Sequence, residues 1–162
     1  MSRSTIRTFL GFQLPPALHP RVADWQRRAG QIDRAVELAM LHLTLCVVGE
    51  TDQHDLFLAR RVVAALAGDL PPAALIRLGR IDCRALGAEW VTRGRTSEIR
   101  EFFDTIAAML MVHGISPLHR ASGLRPHVTL GYDVCAFEPV AAIHHWIPGG
   151  WLLVESRWDG AL

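Results

Sequence analysis

Leu41-His42-Leu43-Thr44-Leu45 and its echo Pro126-His127-Val128-Thr129-Leu130 decide how this chain is read. Each is a His-x-Thr-Leu segment in a strand-like run, and the two histidines stand 85 residues apart, one in each half. Side chains alternate between the faces of a strand. Leu41, Leu43, Leu45 and Val47 therefore take one face, and His42, Thr44, Cys46 and Val48 the other. In the second run Val128 and Leu130 oppose His127 and Thr129. One His-x-Thr in a strand is commonplace. Two copies, one per half, both alternating, point to a shared site in which the histidines face each other across a cleft.

The chemistry that suits such a pair is in-line displacement at phosphorus. It needs a base on the attacking oxygen and an acid on the leaving oxygen, on opposite sides of the phosphorus. Imidazole, with an ordinary pKa of about 6.5, serves as either near neutral pH. A threonine two residues on points the same way, and its hydroxyl can donate to a non-bridging phosphate oxygen. This chemistry calls for no metal and no cofactor.

Composition sets the bounds. The 162 residues suit one domain, 50% are hydrophobic, and the formal net charge is +1. A charge so near zero argues against broad electrostatic capture of long nucleic acid but leaves room for a small or terminal phosphate ligand. All 17 basic residues are Arg, which codon bias explains without function. Cys46, Cys83 and Cys135 are odd in number and widely spaced. They read as buried free thiols of a reducing compartment rather than a disulfide set or a zinc site. With no signal-peptide pattern and no apolar run long enough to span a bilayer, a cytoplasmic, membrane-free monomer is expected.

Along the chain, 5–13 reads as a strand stopped by Leu14-Pro15-Pro16. A helix over 17–29 carries Leu18, Val22 and Trp25 on one face, with Gly30 as its stop. The first motif lies in a strand run within 35–48. A helix capped by Thr51 or Asp52 runs to about residue 66, with Leu56, Ala59, Val63 and Leu66 as its stripe, and Gly68 to Pro72 break it. Residues 74–86 alternate as a strand, with a register change near Gly79. Gly87-Ala88 is a turn, and 89–92 return as a strand. Thr96 or Ser97 opens the longest helix, whose core face is Ile99, Phe102, Phe103, Ile106, Met109 and Leu110, ended by Gly114. Then come the second motif strand over 127–133 and strands over 143–147 and 151–156, paired as a hairpin about Pro148-Gly149-Gly150. Strands and helices mixed in this order predict an α+β fold with two antiparallel sheets side by side and helices packed outside.

Four stretches together resemble the 2H phosphoesterase superfamily, in particular the bacterial RNA 2′,3′-cyclic phosphodiesterases, also called 2′-5′ RNA ligase-like proteins. They are the opening strand ending in Leu14-Pro15, the first motif followed by Val48-Gly49-Glu50, the second motif preceded by Arg125, and the late strand Leu152-Leu153-Val154-Glu155-Ser156. The resemblance covers nearly the whole chain. It implies a single bilobal domain over 1–162, with pseudo-twofold symmetry around a central cleft. His42 and His127 would be the acid/base pair, and Thr44 and Thr129 the phosphate clamps. Tyr132, five residues after the second His, falls where relatives often place an Arg or Tyr near the phosphate. Phe12 falls where some relatives set an aromatic ring against the base, although a core role is equally open. Relatives often carry an aromatic shortly before the second motif. Here Leu124-Arg125 stand there, and Arg125 either contacts phosphate or is simply solvated. Relatives also run on into a further strand where this chain stops at Leu162, which predicts a missing edge strand.

The implied activity is metal-independent hydrolysis of a 2′,3′-cyclic phosphate, at an RNA 3′ end or on a small nucleotide, to a 2′-phosphate. Also open are 2′-5′ RNA ligation, another small cyclic or 2′-5′ phosphodiesterase, and a non-catalytic RNA-end or nucleotide-binding module. His144 and His145 are adjacent in a strand, so they point to opposite faces and make a poor chelate. Trp90 is read as core rather than cleft lining. No Gly-rich phosphate loop and no Gly-x-Ser-x-Gly elbow is present.

Overall fold

The computed structural model describes residues 5–29, 32–51, 53–69, 75–84, 87–94, 96–117, 125–134, 137–148 and 152–158. Gly30 as a helix stop, Asp52 as a cap, the prolines at 71 and 72, Leu124, Cys135 and the Gly149-Gly150-Trp151 part of the expected turn lie outside them.

Strand β1 (Thr5–Gln13) ends where Pro15 and Pro16 remove two amide donors. The Leu14 amide donates to the Leu41 carbonyl at 2.9 Å, and a 3-10 turn, Pro16–Leu18, feeds helix α1 (His19–Ala29). Leu18, Val22 and Trp25 are buried, as their spacing predicts. A short strand β2 (Ile32–Ala35), which the sequence reading lacks, precedes β3 (His42–Thr51), the strand expected within 35–48. A 3-10 turn, Leu38–Met40, divides them. Helix α2 (Gln53–Asp69) buries Leu56, Ala59 and Val62, while the side chains of Val63 and Leu66 in the expected stripe lie outside the described set. Strands β4 (Ile76–Arg84) and β5 (Gly87–Thr92) form a hairpin whose register shifts between Leu78 and Arg80, at the expected Gly79. Gly87 itself is already in the strand, paired with Arg84, rather than in the turn.

Helix α3 (Ser97–Val112) buries Ile99, Phe102, Phe103, Ile106 and Leu110. Thr96 occupies its N-cap without a side-chain hydrogen bond. At its other end Ile115 N–H donates to Leu110 and Gly114 N–H to Met111, each at 3.0 Å. This is a Schellman closure, and it needs the φ of +79° that Gly114 adopts at no steric cost. Strands β6 (His127–Val134), β7 (Val140–Trp146) and β8 (Leu152–Trp158) complete the described elements.

The class is α+β, and every described strand pair is antiparallel. The strands join in one sheet of order β7-β4-β5-β6-β3-β1-β8, with β2 added on β6. The two expected sheets are thus its two halves. They meet at the centre, where β3 and β6 pair Leu43 with Val128. The expected β7–β8 hairpin does not form. β7 pairs with β4 and β8 with β1, at opposite edges. The proline-glycine run reads locally as a hairpin turn, but each strand pairs on its own half-sheet.

One face of the sheet is covered. Leu41, Leu43, Leu45, Val128 and Leu130 are at most 2% exposed and join the core with Phe12, Trp90 and α3. Alternation breaks after Leu45. Cys46 and Val48 are buried while Val47 is half-buried, the reverse of the period-two reading. The cause is the β1–β3 register, which jumps from Gly11–Thr44 to Leu10–Cys46 and leaves Leu45 as an extra residue. None of the described helices is long and apolar enough to cross a membrane.

Candidate active site

The central strand pair sets the site. With Leu43 opposite Val128 in an antiparallel ladder, His42 stands beside Thr129, and Thr44 beside His127. All four side chains are half-buried on the face away from the leucines. The register brings the two motifs to one patch.

Each imidazole is fixed in the same way. His42 Nδ1 donates to the Met40 carbonyl at 2.6 Å, and His127 Nδ1 donates to the Arg125 carbonyl at 2.9 Å. In both, the acceptor is the residue two before the histidine. A proton held on Nδ1 leaves Nε2 as the working nitrogen, a lone pair when neutral and a donor when charged. The ring of Phe9 stacks on His42, with centroids 4.8 Å apart and planes 27° from parallel. Burial pushes the pKa of His42 below the ordinary imidazole value. The Met40 carbonyl opposes that shift, and the nearby charge of His127 adds to it.

His127 meets a different neighbour. Glu89 of β5 is only 7% exposed and reaches within 3.6 Å of His127 Nε2 with Oε1, while its Oε2 pairs with the Arg125 guanidinium. Arg125 is therefore neither free in solvent nor unpaired. Its carbonyl orients His127 and its side chain neutralises Glu89. Tyr132 is exposed, and its ring lies under the Arg34 guanidinium at 5.4 Å. Arg34 also pairs with Asp133 at 2.7 Å.

Of the two roles open to Phe12, the structure gives it the core one, against the expected place beside the substrate. It is 2% exposed and packs edge-to-face on Phe102 of α3, so no base can stack on it. Two irregularities in β1 shift the register around Phe9 and Leu10, and Phe9 is the ring that reaches the site. Glu89 is the other residue missed. Its signal was a lone carboxylate in the run Gly87-Ala88-Glu89-Trp90-Val91, which is buried throughout. Trp90 is core, its Nε1 donating to the Ala142 carbonyl at 2.7 Å. Cys46 is buried and its thiol pKa is pushed up to about 12, so it is no nucleophile.

Comparison with known proteins follows the same outline. No curated protein matches the chain. Among solved structures, apo LigT of E. coli superposes with a TM-score of 0.66 at 16% identity, over 96% of this chain and 97% of that one. E. coli LigT complexed with 3′-AMP gives 0.68 at 17% identity, over 95% and 97%. A protein of Thermus thermophilus gives 0.70 at 19%, over 94% and 95%. At these identities the likeness is one of fold. The family model for the 2′-5′ RNA ligase superfamily matches residues 14–155, a span that holds both His-x-Thr motifs and the strands that bring them together. By that match over most of its length, the chain belongs to the 2′-5′ RNA ligase superfamily, the 2H phosphoesterases.

Proposed function

We propose that the chain is a metal-independent phosphodiesterase that opens a 2′,3′-cyclic phosphate, on a nucleotide or at an RNA 3′ end, to a 2′-phosphate. The observation that carries the reading is the matched pair of imidazoles, each tied at Nδ1 to the carbonyl two residues before it, on adjacent central strands.

The surroundings support one assignment of roles. His42, with its pKa lowered, is the neutral partner, and its Nε2 takes a proton from the attacking water. His127, whose Nε2 faces the Glu89 carboxylate at 3.6 Å, is assigned the acid's role. Water oxygen bonds to phosphorus, the bond from phosphorus to O3′ breaks, and His127 Nε2 protonates O3′ as it leaves. Thr44 and Thr129 donate to the non-bridging oxygens as charge gathers there. The stacked Phe9 ring keeps His42 from turning. Nucleotides are a fitting ligand class, since LigT structures include complexes with 3′-AMP and ATP.

The test is turnover of 2′,3′-cyclic AMP with EDTA present, followed by phosphorus NMR of the product. A 2′-phosphate formed at an undiminished rate is expected. A 3′-phosphate product, or activity lost to the chelator, contradicts the reading. Failure to turn over any cyclic or 2′-5′ diester while still binding one favours a binding module.

A further inference from the structure

The site face continues past His127 across β5, β4 and β7, and its character changes there. A cavity of about 470 Å³ opens on this half of the sheet, walled by Arg80, Arg84, Arg93 and Arg125 and floored by Val91 and Ile143. It adjoins the histidine directly, because Val91 is the register partner of His127 and Arg125 lies two residues before it.

Four guanidiniums round one cavity repel each other unless something holds them. Two carboxylates do. Asp82, 14% exposed, pairs with Arg80 at 3.2 Å and with Arg84 at 3.1 Å, and Glu89 holds Arg125. Each guanidinium carries five N–H donors, so a single carboxylate contact leaves donors directed elsewhere. No carboxylate among the described residues pairs with Arg93. The cavity wall therefore keeps a net positive charge in a protein whose total is +1. Beside these cations, Ile143 is 51% exposed and offers an apolar surface. Fixed guanidiniums next to an apolar floor suit a phosphate with a ribose or base attached, more than a free anion or an acidic peptide.

We infer that this cavity is a subsite for the nucleotide neighbouring the reacting phosphate, with Arg80, Arg84 and Arg93 gripping its phosphate and Val91 and Ile143 supporting its sugar or base. The inference rests on the function proposed above, and of the two substrates named there it favours the RNA 3′ end and gives its 5′ neighbour a place in the fold. A chain ending in a 2′,3′-cyclic phosphate continues only on its 5′ side, so the 5′ neighbour fills the cavity. Strands lie about 4.8 Å apart, so β4 is two strand spacings from β6, within reach of one further nucleotide.

The experiment compares kcat/KM for 2′,3′-cyclic AMP and for the dinucleotide ApA ending in a 2′,3′-cyclic phosphate, in the wild type and in Arg80→Ala/Arg93→Ala. The double variant should lose about tenfold or more on the dinucleotide and stay within about twofold of wild type on the mononucleotide. Its dinucleotide rate should also depend less steeply on salt. An equal loss on both substrates, or none on either, overturns the subsite. If the wild type turns over neither substrate, the proposed function fails. The subsite is then read from binding of ApA carrying a 2′-phosphate against 2′-AMP. Selective weakening of the dinucleotide in the double variant upholds it, and equal affinities in the two proteins overturn it. Single Arg80→Gln and Arg93→Gln variants, checked by melting temperature, serve should the double variant fold poorly.

Discussion

His42 shows how a residue's setting decides its chemistry. Its pKa lies below the ordinary imidazole value because the folded protein buries it beside another histidine. The unfolded chain, with a histidine pKa of about 6.5, then binds more protons than the native state as pH drops below that value. Its contribution to stability is full above about pH 6.5 and is lost as pH falls to the native pKa. The melting temperature of the wild type should thus fall more steeply between pH 6.5 and 5 than that of His42→Asn. Parallel slopes in thermal melts would contradict the lowered pKa. The identity of His42 and His127 as a pair was legible in their two motifs. The neighbours that distinguish them were not. Glu89 and Phe9 come from β5 and β1, and their places depend on ladder registers that no local pattern contains.

At the scale of elements, period two carried the reading as far as the first irregularity. It put Leu41, Leu43 and Leu45 in the core and His42 and Thr44 opposite. It then failed at Cys46, where a bulge turns the strand over. Gly11 sits within this irregular ladder, opposite Thr44. A Cβ built there would lie 2.1 Å from the Leu43 carbonyl oxygen, a backbone atom that cannot step aside. Gly11→Ala should therefore push β1 from β3 directly beneath the site. We expect a loss of stability of about 1–3 kcal/mol together with a loss of activity, measured by denaturant melts and turnover. A variant as stable as wild type would show that the ladder yields more easily than its geometry implies. Helices were easier to read, since Ile99, Phe102, Phe103, Ile106 and Leu110 form an unbroken stripe and Gly114 closes it.

At the scale of the molecule, the α+β class and the meeting of the motif strands follow from patterns in the chain. The order of strands does not. β7 and β8 follow one another in the chain, yet they lie at opposite edges of the sheet. Each edge strand pairs with a partner distant in sequence: Trp146 with Ile76, and Leu153 with Leu10. Cross-strand NOEs should accordingly join Trp146 to Ile76 and be absent between Trp146 and Leu152. A Trp146–Leu152 cross-peak would restore the hairpin and break the sheet order. The same sheet order gives the site its two sides, with Phe9 of β1 against His42 and Glu89 of β5 against His127.

The proposed function rests on two imidazoles sharing one phosphate. The decisive measurement is kcat/KM for 2′,3′-cyclic AMP in His42→Ala, His127→Ala and the double variant, each confirmed as folded. Each single variant should lose about 10²–10⁴-fold, and the double variant should fall little below the worse single one, because the pair acts as a unit. Wild-type turnover in either single variant would contradict the account.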